Sequence, residues 1–194
     1  MIIVLGRPSI ADGPDGSVPA GLSAAVALAA AAAGSRVELV GSLGDDAAGD
    51  AVAIGLARAG VGHAAVLRIP AAATPRAGTD DAPSRLDAAD VELGLRYMSD
   101  FRVLVVAETM PADVVAVAAD AAAYAGAAIV VLVARGQGPP AGFGPAATIL
   151  EAPDDAEPPF ALAVARYAVA LEAGTDPELA LRAAVEAAGW EAVG

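Results

Sequence analysis

The chain predicts an α/β fold: a single three-layer α/β/α domain over residues 1–194, built on a mostly parallel sheet. Three observations lead there. Short, wholly apolar runs recur along the chain, as strands covered on both faces require. Between them lie alanine-rich segments of about 10 to 15 residues with helical propensity, the alternation that builds parallel βαβ units. The composition, 57% hydrophobic and 18% charged, supports a packed core.

Met1–Leu5 is an apolar run closed by Gly6 and reads as a buried strand, followed by a loop over Arg7–Pro19, where Pro, Gly and Asp dominate. Leu22–Ala33 reads as a helix stopped by Gly34, and Val37–Gly41 as the next strand. Asp45 or Asp46 can cap a helix that runs to about Ala59 and ends at Gly60, before a strand over Ala64–Ile69. Pro70–Pro83 has no periodic apolar face and reads as an exposed loop. Asp87–Met98 and Ala112–Tyr124 read as helices, and Val103–Ala107, Ala128–Val133 and Ala147–Leu150 as strands. Two closing helices are expected over Phe160–Ala173 and from a cap at Thr175 or Asp176, with Pro177 in first position, to Ala188. No internal repeat or domain-splitting linker interrupts this order.

Composition excludes several kinds of chemistry. The net charge of −13 and the scatter of eleven arginines leave no cationic patch for a phosphate backbone, so nucleic acid is not an expected partner. No stretch has the layout of a signal peptide, and Leu22–Ala33 is too short to span a bilayer, so a soluble cytoplasmic protein without membrane contact is expected. Without cysteine there are no disulfides or thiolate metal sites, and any Ser-His-Asp triad would rest on His63 alone. The chain also lacks lysine and asparagine, so an anion must be held by arginine, backbone N–H groups or a helix N-terminus.

The spacing of Ala20-Gly21, the alanine-rich helix, Gly34, Val40-Gly41, Gly44-Asp45-Asp46, Gly49, Leu56 and Gly60-Val61 resembles the N-terminal signature of the PfkB (ribokinase-like) carbohydrate kinases. Phe160 to Ala184 is similar to the last two helices of that family, and 87–133 to its strand and helix pattern. The resemblance implies a ribokinase-like fold and ATP-dependent phosphorylation of a hydroxymethyl group on a sugar or nucleoside. The chain is shorter than such kinases usually are, which implies a lid reduced or absent, its place held by the Pro70–Pro83 loop, and a reduced nucleotide-binding half.

Carried over residue by residue, the resemblance makes Asp12, Gly21 and Glu108 the substrate-binding candidates: Asp12 and Glu108 as acceptors for sugar hydroxyls, Gly21 as a point of close backbone approach. Where the family has an asparagine, this chain has Ala25. Where the family has an Asp-Thr-x-Gly-Ala-Gly-Asp loop, whose glycine N–H groups face the migrating phosphate and whose last aspartate takes a proton, this chain has Pro153-Asp-Asp-Ala-Glu-Pro-Pro159. Proline has no N–H to donate, and extra carboxylates repel phosphate. The magnesium-linked Asn-x-x-Glu motif is absent with asparagine itself.

The expectation is a PfkB-type pseudoenzyme that binds a small polar, sugar-like ligand or a partner subunit. An active divergent kinase, using ATP and Mg with Asp154 or Asp155 as base, is the alternative; a homodimerising module exposing a sheet edge or apolar face is a third reading. Gly41–Gly49 reads as a turn and helix cap rather than a phosphate loop, because Asp45 and Asp46 would repel phosphate. The trio Gly136, Gly138 and Gly142 reads as a solvent loop, His63 as a surface residue and Trp190 as a packing anchor. Asp154, Asp155 and Glu157 read as solvated loop acids rather than a cation site.

Overall fold

Six strands form one sheet in the order β5-β4-β1-β6-β7-β8, every neighbouring pair parallel, in the computed structural model of the chain. They are β1 (Ile2–Leu5), β4 (Val37–Gly44), β5 (Gly62–Ile69), β6 (Val103–Val106), β7 (Ala128–Ala134) and β8 (Thr148–Ala152). The structure describes residues 1–14, 16–78, 86–138, 140–153 and 158–188.

Strand alternation divides the core. Ile2, Val4, Val37 and Leu39 point to one face, where they meet α1 (Gly21–Ala32), α2 (Ala47–Arg58), α5 (Pro159–Glu172) and α6 (Pro177–Ala187). Ile3, Leu5, Val40 and Leu104 point to the other, against α3 (Ala88–Arg96) and α4 (Ala112–Ala125). Valine and alanine fill both faces, so the helices lie close to the sheet.

Several boundaries depart from the sequence reading. Arg7–Pro19 is not a loop: β2 (Ser9–Gly13) and β3 (Gly16–Ala20) pair antiparallel from Ser9↔Ala20 to Gly13↔Gly16. The hairpin sits on α2, where Gly55 leaves room for the Pro19 ring, and Ile10 bridges to Arg76. A small second sheet therefore stands where the Arg7–Pro19 loop was expected.

Likewise, β4 runs on to Gly44, so Gly41 and Gly44 are strand residues rather than the start of a turn. Their role is close backbone approach. A Cβ on Gly41 would strike the Gly6 carbonyl oxygen, and one on Gly44 would lie 2.5 Å from the Ala72 carbonyl oxygen and 2.6 Å from the Thr74 nitrogen. Of the two candidate caps, Asp46 is the one used: its Oδ1 accepts from the Gly49 N–H at 2.7 Å. Among the described residues, no helix is long and apolar enough to cross a membrane.

Candidate functional site

The sheet order reverses at β1. From β1 the chain steps outward through β4 to β5, then returns to the other side for β6, β7 and β8. The crevice outside the carboxyl ends of β1 and β6 is therefore the topological switch point, where open α/β sheets take their ligands.

The backbone holds this crevice tightly. The Gly6 N–H bonds the Val40 carbonyl at 3.0 Å, and the Ala107 N–H bonds the Leu5 carbonyl at 2.8 Å. One residue further, the Arg7 N–H donates to Glu108 Oε1 at 3.1 Å, tying the two strand ends together. Gly6 is closely surrounded, since a Cβ there would lie 3.0 Å from Cβ of Ser23 and 3.2 Å from Cβ of Ala107. Helix α1 thus begins directly beside the end of β1.

Two hydroxyls at this place lack partners. Ser9, at the start of β2, and Ser23, in the first turn of α1, are 7% and 3% exposed, and neither Oγ has a hydrogen-bond partner among the described residues. Gly21 joins them: its φ of +80° is a conformation that side chains avoid, and a Cβ there would lie 2.9 Å from Ser9 Oγ. The helix N-cap is Ala20, whose side chain caps nothing. An uncapped helix start and two buried hydroxyls without partners among the described residues leave hydrogen-bonding capacity unsatisfied.

Of the sequence candidates, Gly21 and Glu108 border this crevice, Gly21 through Ser9 and Glu108 through Arg7. Asp12 sits further along β2, opposite Ser17, largely exposed and 3.8 Å from the Arg76 guanidinium. Its ion-pair partner is therefore Arg76 rather than a group at the strand ends. Asp155, with Asp154, Glu157 and Trp190, lies outside the described residues. Ala25 lies on α1, half-buried against the core. His63 is on β5, with Nδ1 3.3 Å from the Val61 carbonyl oxygen. Ser9 and Ser23 were missed, because a serine in a loop or a helix carries no sequence signal until its packing is known.

The opposite half of the carboxyl edge offers little to a phosphate. Helix α5 starts with Pro158 as N-cap and Pro159 in first position, with no side-chain cap, so neither residue has an N–H to donate. In the glycine loop after β7, the Gly136 N–H is already given to Glu151 Oε1 at 2.9 Å. Among the described residues, no group of three or more His, Cys, Asp or Glu is arranged to hold a metal ion. At the α5 N-terminus, Pro158 and Pro159 themselves offer no N–H to a phosphate, and residues 154–157 lie outside the described residues.

No family model and no curated protein matches the sequence. The folded chain, however, is similar to solved sugar-kinase structures. A ribokinase from Arabidopsis thaliana, complexed with ribose and ATP, superposes with a TM-score of 0.64 at 15% identity, over 96% of this chain and 90% of that one. The fold is ribokinase-like. A protein assigned as a ribokinase from Agrobacterium tumefaciens gives 0.67 at 14% identity, over 96% and 89% of the two chains. A fructokinase with bound ATP from Xylella fastidiosa gives 0.53 at 19% identity, over 95% and 68%. The likeness is one of fold, at 14–19% identity.

Proposed function

We propose that residues 1–194 act as one sugar-kinase-like unit that binds a small polyhydroxylated ligand at the β1–β6 crevice and does not transfer phosphate to it. The observation that carries this reading is a contrast between two helix N-termini. At α1, an uncapped first turn lies beside the unpartnered hydroxyls of Ser9 and Ser23. At α5, the chain enters on two consecutive prolines. The first can complete hydrogen bonds to alcohol groups. At the second, Pro158 and Pro159 remove two of the positions from which an N–H could stabilise charge on a migrating phosphoryl group.

In this reading Glu108 accepts from ligand hydroxyls, and Ser9 and Ser23 donate to or accept from them. Gly21 keeps the wall free of a side chain, and Asp12 with Arg76 closes the outer rim. A carboxylate at the centre favours neutral polyols over sugar phosphates.

The test is titration calorimetry with pentoses, hexoses and nucleosides, run beside a coupled assay with ATP and Mg. Binding of a polyol with no phosphorylated product is the expected result. Turnover approaching about one per second, abolished in Asp155→Ala, would replace this reading with the active, divergent kinase.

A further inference from the structure

We propose that the groove between α1, α5 and the end of α6 is the seat of the chain's own C-terminal segment, residues 189–194, with Trp190 as its anchor. This goes beyond ligand binding at the β1–β6 crevice and does not depend on it.

Helices α1 and α5 pack together, and small residues leave their seam open. Ala25 and Ala29, one turn apart on α1, form one wall of a groove of about 420 Å³. Along α5 the groove runs from Pro158 and Pro159 at the helix start to Arg166, two turns later. Leu162 lies between them and is 42% exposed, a large apolar side chain that the α1 alanines are too short to cover.

Three observations select the C-terminal segment as the occupant. The first is position. Ala188, the cap of α6 and the last of the described residues, itself lines the groove, and Arg166 Nη1 donates to the Ala187 carbonyl at 2.9 Å. The chain therefore leaves α6 at the wall of the groove, and Trp190, two residues on, has its Cα within about 7 Å of that point.

The second is the order of residues after the cap. Gly189 is followed by Trp190, the sequence in which a left-handed glycine turns the chain at a helix end and an apolar residue packs back on the last turn. The third is chemistry. Arg166 is the one charged residue lining the groove among the described residues. Its guanidinium offers a cation to the face of an indole, and Glu191, next after Trp190, brings the opposite charge. An attached segment also holds an effective concentration of about millimolar, which a separate partner rarely matches.

Trp190 is the chain's only tryptophan, so its fluorescence reads this site alone. Compared with N-acetyltryptophanamide in the same buffer, emission shifted to shorter wavelength and weaker quenching by acrylamide are expected, both unchanged on dilution. Leu162→Glu places a charge in the groove at an exposed position and should move both signals towards the free indole, with the circular dichroism of the folded protein kept. Arg166→Glu, which repels Glu191 and releases the Ala187 carbonyl, should move them the same way. Leu179→Glu, 56% exposed on α6 but outside the groove, should leave both at wild-type values. Deleting residues 189–194 should raise the binding of the apolar dye ANS. Wild-type emission like that of the free indole, a shift that fades on dilution and so assigns the groove to the tail of a second copy, or signals indifferent to Leu162→Glu and Arg166→Glu, each overturns the proposal.

Discussion

Thr74 Oγ1 donates to Asp46 Oδ1 at 2.6 Å, while the Thr74 N–H donates to Asp46 Oδ2 at 2.9 Å. With the Gly49 N–H also on Oδ1, one carboxylate caps α2 and pins the segment that follows β5. The hydroxyl of Thr74 also accepts from the Gly44 N–H at 3.1 Å, closing a small buried network.

Asp46→Ala removes a cap and a tertiary clamp together and should cost about 1–2 kcal/mol, read from urea unfolding.

The same contacts predict a pH dependence. The Thr74 hydroxyl, then the Thr74 and Gly49 N–H groups, hold the Asp46 carboxyl below its ordinary 3.8 in the folded protein. A lowered folded value means that the unfolded chain binds the proton more readily. The stability it contributes is full above about pH 4 and is lost as pH falls through the folded value. Against wild type, Asp46→Asn should show a shallower loss of stability on acidification below about pH 4.

Buried hydroxyls without partners set stability against binding. Ser9→Ala and Ser23→Ala should each leave the unliganded protein as stable as wild type or about 1 kcal/mol more stable, by thermal melt. Each should also weaken polyol binding by roughly five- to tenfold by calorimetry. Reduced stability with unchanged affinity would show that these hydroxyls serve packing alone.

Two glycines should respond differently to alanine. Gly41→Ala drives a Cβ into the Gly6 carbonyl, a backbone atom at the end of β1, and should cost about 3 kcal/mol or more or prevent folding. Gly34→Ala meets open space at a φ of +91° and should cost only about 1 kcal/mol. Their urea midpoints measure the difference.

Tyr167 is 1% exposed, and its hydroxyl lies 2.9 Å from Thr148 Oγ1. Tyr167→Phe should therefore cost about 1 kcal/mol, measured the same way, by removing the link between α5 and the outer strand β8.

What could be read from the residues were the elements whose cause is local. The apolar run Met1–Leu5, the alanine-rich helix ended by Gly34 and the Asp176-Pro177 helix start all appear within a residue or two of expectation. Each is set by periodicity, propensity or capping within a few neighbours. Gly21 and Glu108 became candidates only because their surroundings resemble a known signature.

The sequence by itself determined an α/β chain with a parallel, doubly covered sheet and a proline-broken entry to α5. Only the tertiary structure decided that Ser9–Gly13 and Gly16–Ala20 pair as a hairpin, that Gly41 spaces two strands, and that Ser9 and Ser23 lie beside Gly21 and Gly6 without a partner among the described residues. The physical reason is range. Helix and strand propensities act between near neighbours, whereas a close approach or an unpaired hydroxyl exists only once distant segments have packed, and it is there that the candidate site lies.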